Sequence, residues 1–75
     1  MDWRDYITVD PHVCHGKAVV RGTRVPVSVV LDNLAAGLTS DDISESYPSV
    51  SAAAVRAALA YAADLASERV VSLAA

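Results

Sequence analysis

At 75 residues the chain makes one domain, near the lower limit of what folds without staples, because so short a chain buries a modest share of its surface. The 53% apolar content is in large part alanine, with one Trp, one Met and no Phe, and the lone Cys14 excludes an internal disulfide. The formal net charge of −3 runs against the basic balance usual for a solitary DNA-binding domain, and Asp32, Arg56 and Asp64 interrupt every apolar run before the roughly 18 residues a membrane-spanning helix needs.

The residues Met1-Asp2-Trp3-Arg4-Asp5 lack the apolar stretch of a secretory signal, and the cysteine content suits a reducing compartment, so the expected location is the cytoplasm with no membrane. Small side chains make a thin core. Part of the stability is therefore expected from a partner subunit, in a homodimer or a higher oligomer.

The pattern predicts a mainly α fold: a short N-terminal β-hairpin, then a trihelical helix-turn-helix, then a tail. The hairpin or arm occupies 1–26. Ile7-Thr8-Val9 alternates and is β-branched, and Asp10-Pro11 stops it; Ala18-Val19-Val20 is a second strand, and Arg21-Gly22-Thr23-Arg24 reads as a turn. The trihelical unit occupies 27–67. Its first helix runs from Ser28 to Ala36 after Pro26, closed by Gly37.

Two stronger start signals follow. Thr39 is an N-cap with Asp42 three residues on, flanked by the staple pair Leu38 and Ile43; Ser51 repeats the device with Val50 and Val55. Between them Ser46-Tyr47-Pro48-Ser49 forbids one continuous helix, so a short helix, a tight turn and a longer helix from Ala52 to Ser67 are expected. Residues 68–75 form the tail, in which Val70-Val71-Ser72-Leu73 suits a short strand or an extended arm.

On the last helix, 100° per residue puts Val55, Leu59, Ala62 and Ala66 on one face, with Ala58 and Leu65 beside them. Ala53, Arg56, Ala57, Ala60 and Asp64 then form the outer face. As a recognition helix it could offer DNA only Arg56 as a base reader, and Asp64 would repel phosphate. As an ordinary core helix, its alanines would allow close helix–helix contact. Lys17, Arg21 and Arg24 concentrate positive charge within eight residues, whereas from Val27 onward six acids (Asp32, Asp41, Asp42, Glu45, Asp64, Glu68) face Arg56 and Arg69. The basic segment suits either a solvated hairpin edge or a contact to phosphate or an acidic partner.

His12, Cys14 and His15 are the only cluster with ligand chemistry. They lie within four residues with no distant fourth Cys or His, a spacing that does not converge on a tetrahedral zinc, so no metal or cofactor is expected. Gly16, Gly22 and Gly37 are too far apart for a phosphate loop, and no nucleophile has a base and an oxyanion donor in its pattern. An enzyme is not expected.

The run Ile7-Thr8-Val9-Asp10-Pro11, then Cys14-His15-Gly16-Lys17, then Arg21-Gly22-Thr23-Arg24-Val25-Pro26-Val27, resembles bacterial proteins grouped as "domain of unknown function 433". The likeness continues through Leu34-Ala35-Ala36-Gly37-Leu38-Thr39, Tyr47-Pro48 and Arg56-Ala57-Ala58-Leu59-Ala60-Tyr61-Ala62. Ala18 departs from it, standing where the family usually has proline. The resemblance implies a homeodomain-like trihelical fold behind a β-hairpin. It also implies antitoxins of the VapB type that dimerise, bind PIN-like ribonuclease toxins and bind their own operator DNA.

The expected function is accordingly the antitoxin half of a toxin–antitoxin pair. Lys17, Arg21, Arg24 and Arg56 would meet nucleic acid, and Arg69, Val70, Val71 and Leu73 would meet the nuclease. The rival expectation is a stand-alone protein–protein or oligomerisation module with no DNA role.

Overall fold

Strand β1 (Ile7–Val9) pairs antiparallel with β2 (Ala18–Val20), in the register Ile7 to Val20, Thr8 to Val19 and Val9 to Ala18. Both strands fall where β-branched alternation placed them. The computed structural model describes residues 2–12 and 16–67; Cys14 and His15, and with them the expected tail arm Arg69, Val70, Val71 and Leu73, lie outside the described residues.

The turn after β2 is built by its own side chains. Gly22 takes the positive φ (79°) that a β-carbon disfavours. The Thr23 hydroxyl donates to the Val20 carbonyl at 2.7 Å and accepts from the Val25 N–H at 3.0 Å. The chain then turns back along β2, where Val20 N–H donates to the Val25 carbonyl at 2.9 Å and Val19 bridges to Pro26.

Helix α1 spans Val27–Ala35, one residue earlier than the pattern indicated. Pro26 is itself the N-cap, extended at φ −64° and ψ 144°, so Val27 takes the first helical position and turns its side chain into the core. The helix closes as Gly37 predicted. Gly37 N–H donates to the Leu34 carbonyl and Leu38 N–H to the Asn33 carbonyl, both at 3.0 Å, which is the paired pattern of a Schellman end with Gly37 at φ 93°.

Helix α2 (Ser40–Ser46) opens on a complete capping box: Asp42 N–H donates to the Thr39 hydroxyl at 3.2 Å, and Thr39 N–H donates to the Asp42 carboxylate at 2.9 Å. Leu38 stays 42% exposed while Ile43 is buried, so the staple predicted there leaves its outer member in solvent. Helix α3 (Ala52–Ser67) has the predicted bounds. The Ser51 hydroxyl accepts from Ala54 N–H at 3.1 Å, and both members of its staple, Val50 and Val55, lie in the core. The Ser44 hydroxyl ties α2 to the intervening turn by donating to the Val50 carbonyl at 2.6 Å.

The core joins one face of the hairpin (Ile7, Val20) to Val27 and Val30 of α1, Ile43 of α2, Val50 of the turn, and Ala54, Val55, Ala57 and Ala58 of α3. Each fully buried valine or isoleucine contributes about 1.5–3 kcal/mol of transfer free energy, so a handful of such residues carries this fold.

Two expectations are corrected. The buried face of α3 is Ala54, Val55, Ala57 and Ala58, whereas Leu59 and Leu65 are each 48% exposed. Ala57, assigned to the outer face, is fully buried, and Leu59, assigned to the core face, is not. For Ala57 and Leu59 the cause is rotation: at 100° per residue Ala54, Ala57 and Ala58 share the packed side and Leu59 falls off it. Leu65 does lie on that side, and there length decides: at 1.5 Å per residue α3 is about 24 Å long, against about 14 Å for α1 and 10 Å for α2, so the shorter helices cover only part of it. The second correction is a 3-10 turn at Trp3–Asp5, which the pattern did not reveal. Its N-cap is Asp2, whose carboxylate accepts from Arg4 N–H at 3.0 Å.

Among the described residues no helix is long and apolar enough to cross a membrane.

Candidate binding groove

Where α3 outruns its neighbours, the start of β2 and the first turns of α1 leave a concave strip beside it. The strip is an open groove of about 470 Å³, lined by Gly16, Lys17 and Ala18, by Val27, Ser28 and Leu31, and by Tyr61 and Leu65. Its walls are mostly apolar. The hydroxyls of Ser28 and Tyr61 and the ammonium of Lys17 supply the polar side-chain groups, and Lys17 is the one charged liner. Gly16 turns the chain into β2 at φ 80°, and a β-carbon there would stand 3.8 Å from Pro11, so it is the backbone conformation rather than space that favours glycine.

The 3-10 turn positions the α3 wall. The Trp3 ring meets Tyr61 edge-on, with centroids 4.8 Å apart and planes at 79°, and the Trp3 indole N–H donates to the Asp64 carboxylate. Arg4 lies over the outer face of the Trp3 ring at 4.4 Å and makes a surface ion pair with Asp2 at 3.5 Å. Tyr61 is thus braced from behind by an aromatic edge and fixed within one turn of a hydrogen-bonded carboxylate. Such a groove can hold apolar side chains and meet one negative charge.

The basic residues singled out from the sequence occupy separate settings. Lys17 and Arg21 stand at opposite ends of β2, about 13 Å apart by strand rise. Lys17 lines the groove, while Arg21 is drawn to the other end, its guanidinium donating to the Arg4 carbonyl at 2.8 Å and its N–H to the Tyr6 carbonyl at 2.7 Å. Arg24 is exposed in the segment after the Gly22 turn, and Arg56 is exposed on the first half of α3. His12 is exposed, with its N–H donating to the Asp10 carboxylate at 2.8 Å.

The helix-turn-helix has an acidic first member. Asp41, Asp42 and Glu45 are exposed on α2, which carries no base. Thr39 backbone N–H, followed by its hydroxyl, holds the Asp42 carboxyl below the usual carboxylate range, so that charge is firmly kept.

The groove residues Val27, Ser28 and Tyr61 were not picked out by sequence reasoning, and Leu65 was placed beside the core face of the last helix. Tyr61 and Leu65 are one helical turn apart on one face, a pair that is detectable in principle. Reading them as a wall required knowing that the starts of β2 and α1 stand opposite them.

Fold and groove together define a small helix-turn-helix module fronted by a β-hairpin and carrying an open, mostly apolar groove. The chain belongs to the family described as "Protein of unknown function (DUF433)", whose model matches residues 7–62. It is 42% identical over 59 residues to the Sinorhizobium fredii protein described as "Uncharacterized protein y4eO", a match covering 79% of this chain and 27% of that one. It is also similar to the crystal structure of a DUF433 member from Anabaena variabilis, with a TM-score of 0.77 and 28% identity, over 87% of this chain and 64% of that chain. The chain thus spans about a quarter of the length of the first relative and under two thirds of the second. The family segment stops short of Trp3, Arg4, Asp64 and Leu65, so the brace behind Tyr61 lies outside it.

Proposed function

We propose that this chain is a protein-binding module acting as the antitoxin of a bacterial toxin–antitoxin pair, and that its partner is a PIN-like ribonuclease. The observation that carries the protein-binding part is the second half of α3, where Leu65 stands half-exposed along an apolar groove in a chain with little other core to spare. The nuclease part rests on the family likeness and on the tail. PIN-like sites cluster carboxylates around magnesium, and an inhibitor gains by presenting a cation there, which Arg69 followed by Val70, Val71 and Leu73 would supply. Homodimerisation through the thin-cored module belongs to the same reading.

Surface charge bears on the DNA side of the reading. In a helix-turn-helix the first helix crosses the phosphate backbone, and here that helix presents three carboxylates. Operator contact by this chain would run through Lys17, Arg21, Arg24 and Arg56, with the partner nuclease supplying the rest of the positive charge.

The test is inhibition of a PIN-like nuclease encoded next to this chain. Equimolar chain is expected to abolish magnesium-dependent RNA cleavage, and deletion of residues 69–75 to restore it while leaving the helical circular dichroism unchanged. If the full chain leaves cleavage untouched and no complex elutes, the antitoxin reading fails and a stand-alone interaction module is left. If the truncated chain still inhibits, the interface moves from the tail to the groove.

A further inference from the structure

The groove ends where the chain continues. Leu65, its last liner, stands two residues before Ser67, the end of α3, and the sequence goes on as Glu68-Arg69-Val70-Val71-Ser72-Leu73-Ala74-Ala75. We propose that the groove between β2, α1 and α3 is the seat of this tail in the free protein, with Val70, Val71 and Leu73 as its occupants.

Length, direction and chemistry all fit. The α3 wall runs from Leu65 to Tyr61 and the α1 wall from Val27 to Leu31, each about 6 Å long at helical rise. An extended segment from residue 70 to 73 spans about 10 Å, enough to cover both walls. A reversal of the chain direction after Ser67 would bring the apolar strip beside Leu65. Walls of Ala18, Val27, Leu31, Tyr61 and Leu65 suit valine and leucine, and the one charged liner, Lys17, is complementary to Glu68 rather than to Arg69.

The placement needs no nuclease and stands apart from the antitoxin reading. If both hold, the strip that meets the nuclease is stored against the module's own surface until the partner draws it out.

The experiment uses the full chain and no partner. Backbone amide spectra are compared between the native sequence and a V70D/V71D double variant, which changes no described residue. Signals of Lys17, Ala18, Leu31, Tyr61 and Leu65 are expected to move, those of Ser40–Ser46 in α2 to stay, and binding of an apolar dye to rise several-fold as the groove opens. Changes confined to residues 68–75 would overturn the proposal. If instead the native groove signals move to the variant's positions on dilution to low micromolar concentration, the occupant is the tail of a second copy, which overturns the same-chain seat. A Leu65→Gln variant provides a second reading from the groove side. It is expected to shift tail amides from Val70 to Leu73, and an unchanged tail spectrum counts against the seat.

Discussion

The two halves of α3 have nearly the same composition and opposite fates. Its first half, Ala52 to Leu59, is pressed between α1 and α2, and Ala54, Val55, Ala57 and Ala58 vanish from the surface. In its second half, Ala60 to Ser67, the 3-10 turn braces Tyr61 and Asp64, the starts of β2 and α1 stand across an open groove, and Leu65 remains half in solvent. Alanine serves both. Where helices meet, it lets backbones approach; where none arrives, it leaves an apolar surface with few protrusions. The number of neighbours, not hydrophobicity, separates core from exposed apolar surface along this helix.

A matched pair of substitutions should break that comparison open. Ala57→Leu adds bulk where no space exists and is expected to cost about 1–3 kcal/mol. Ala63→Leu makes the same chemical change on the exposed second half and should stay within about 0.5 kcal/mol of the native chain. Urea unfolding of both variants measures the difference. Equal losses would mean that the second half of α3 is as tightly covered as the first.

That contrast also marks how far the sequence could be read. Residues whose role is local were legible: Thr39 and Asp42 close a capping box, Ser51 caps α3, Gly37 ends α1, and the two strands fall on the segments Ile7–Val9 and Ala18–Val20. The face of α3 was not legible. A helical wheel sets Ala57 and Ala62 about 140° apart, but with alanine on both sides it does not say which side the other elements pack against. The 3-10 turn left only a faint trace, Asp2 two residues before Arg4. Its real partners, Tyr61 and Asp64, lie almost the whole chain away. The groove was invisible for the same reason, being made where three elements fail to cover a fourth.

A smaller effect tests the cover over the first half. Seven residues are too few for α2 to hold itself, so its start matters to the packing of Ile43 on α3. Thr39→Ala removes the hydroxyl that accepts from Asp42 N–H and is expected to cost about 1 kcal/mol. The same box gives a pH signature. Because the Asp42 carboxyl is held below its ordinary range by the Thr39 N–H and hydroxyl, its contribution is complete above the unfolded-state pKa and is lost as pH falls through the lower folded-state value. Asp42→Asn should therefore flatten part of the acid limb of the stability curve. An unchanged acid limb in that variant would remove Asp42 from the account.

The smallest effect concerns the brace on the second half, and it separates two contributions of one side chain. Trp3 gives Tyr61 an aromatic edge and gives Asp64 a hydrogen bond, both at the surface. Phenylalanine keeps a ring edge and lacks the N–H, so Trp3→Phe should lose only the hydrogen bond, about 0.5 kcal/mol at a solvated site. Trp3→Ala forfeits the ring contact too, worth about 0.5–1.5 kcal/mol more, along with the platform under Arg4. Neither change touches the packed first half, so the core amides of Val55 and Ala58 should keep their hydrogen-exchange protection while those near Tyr61 and Asp64 exchange faster. If protection falls equally along the helix, α3 unfolds as one unit and the brace supports the whole fold. If it falls only beyond Leu59, the second half is a separately held element, free to change partners without cost to the core.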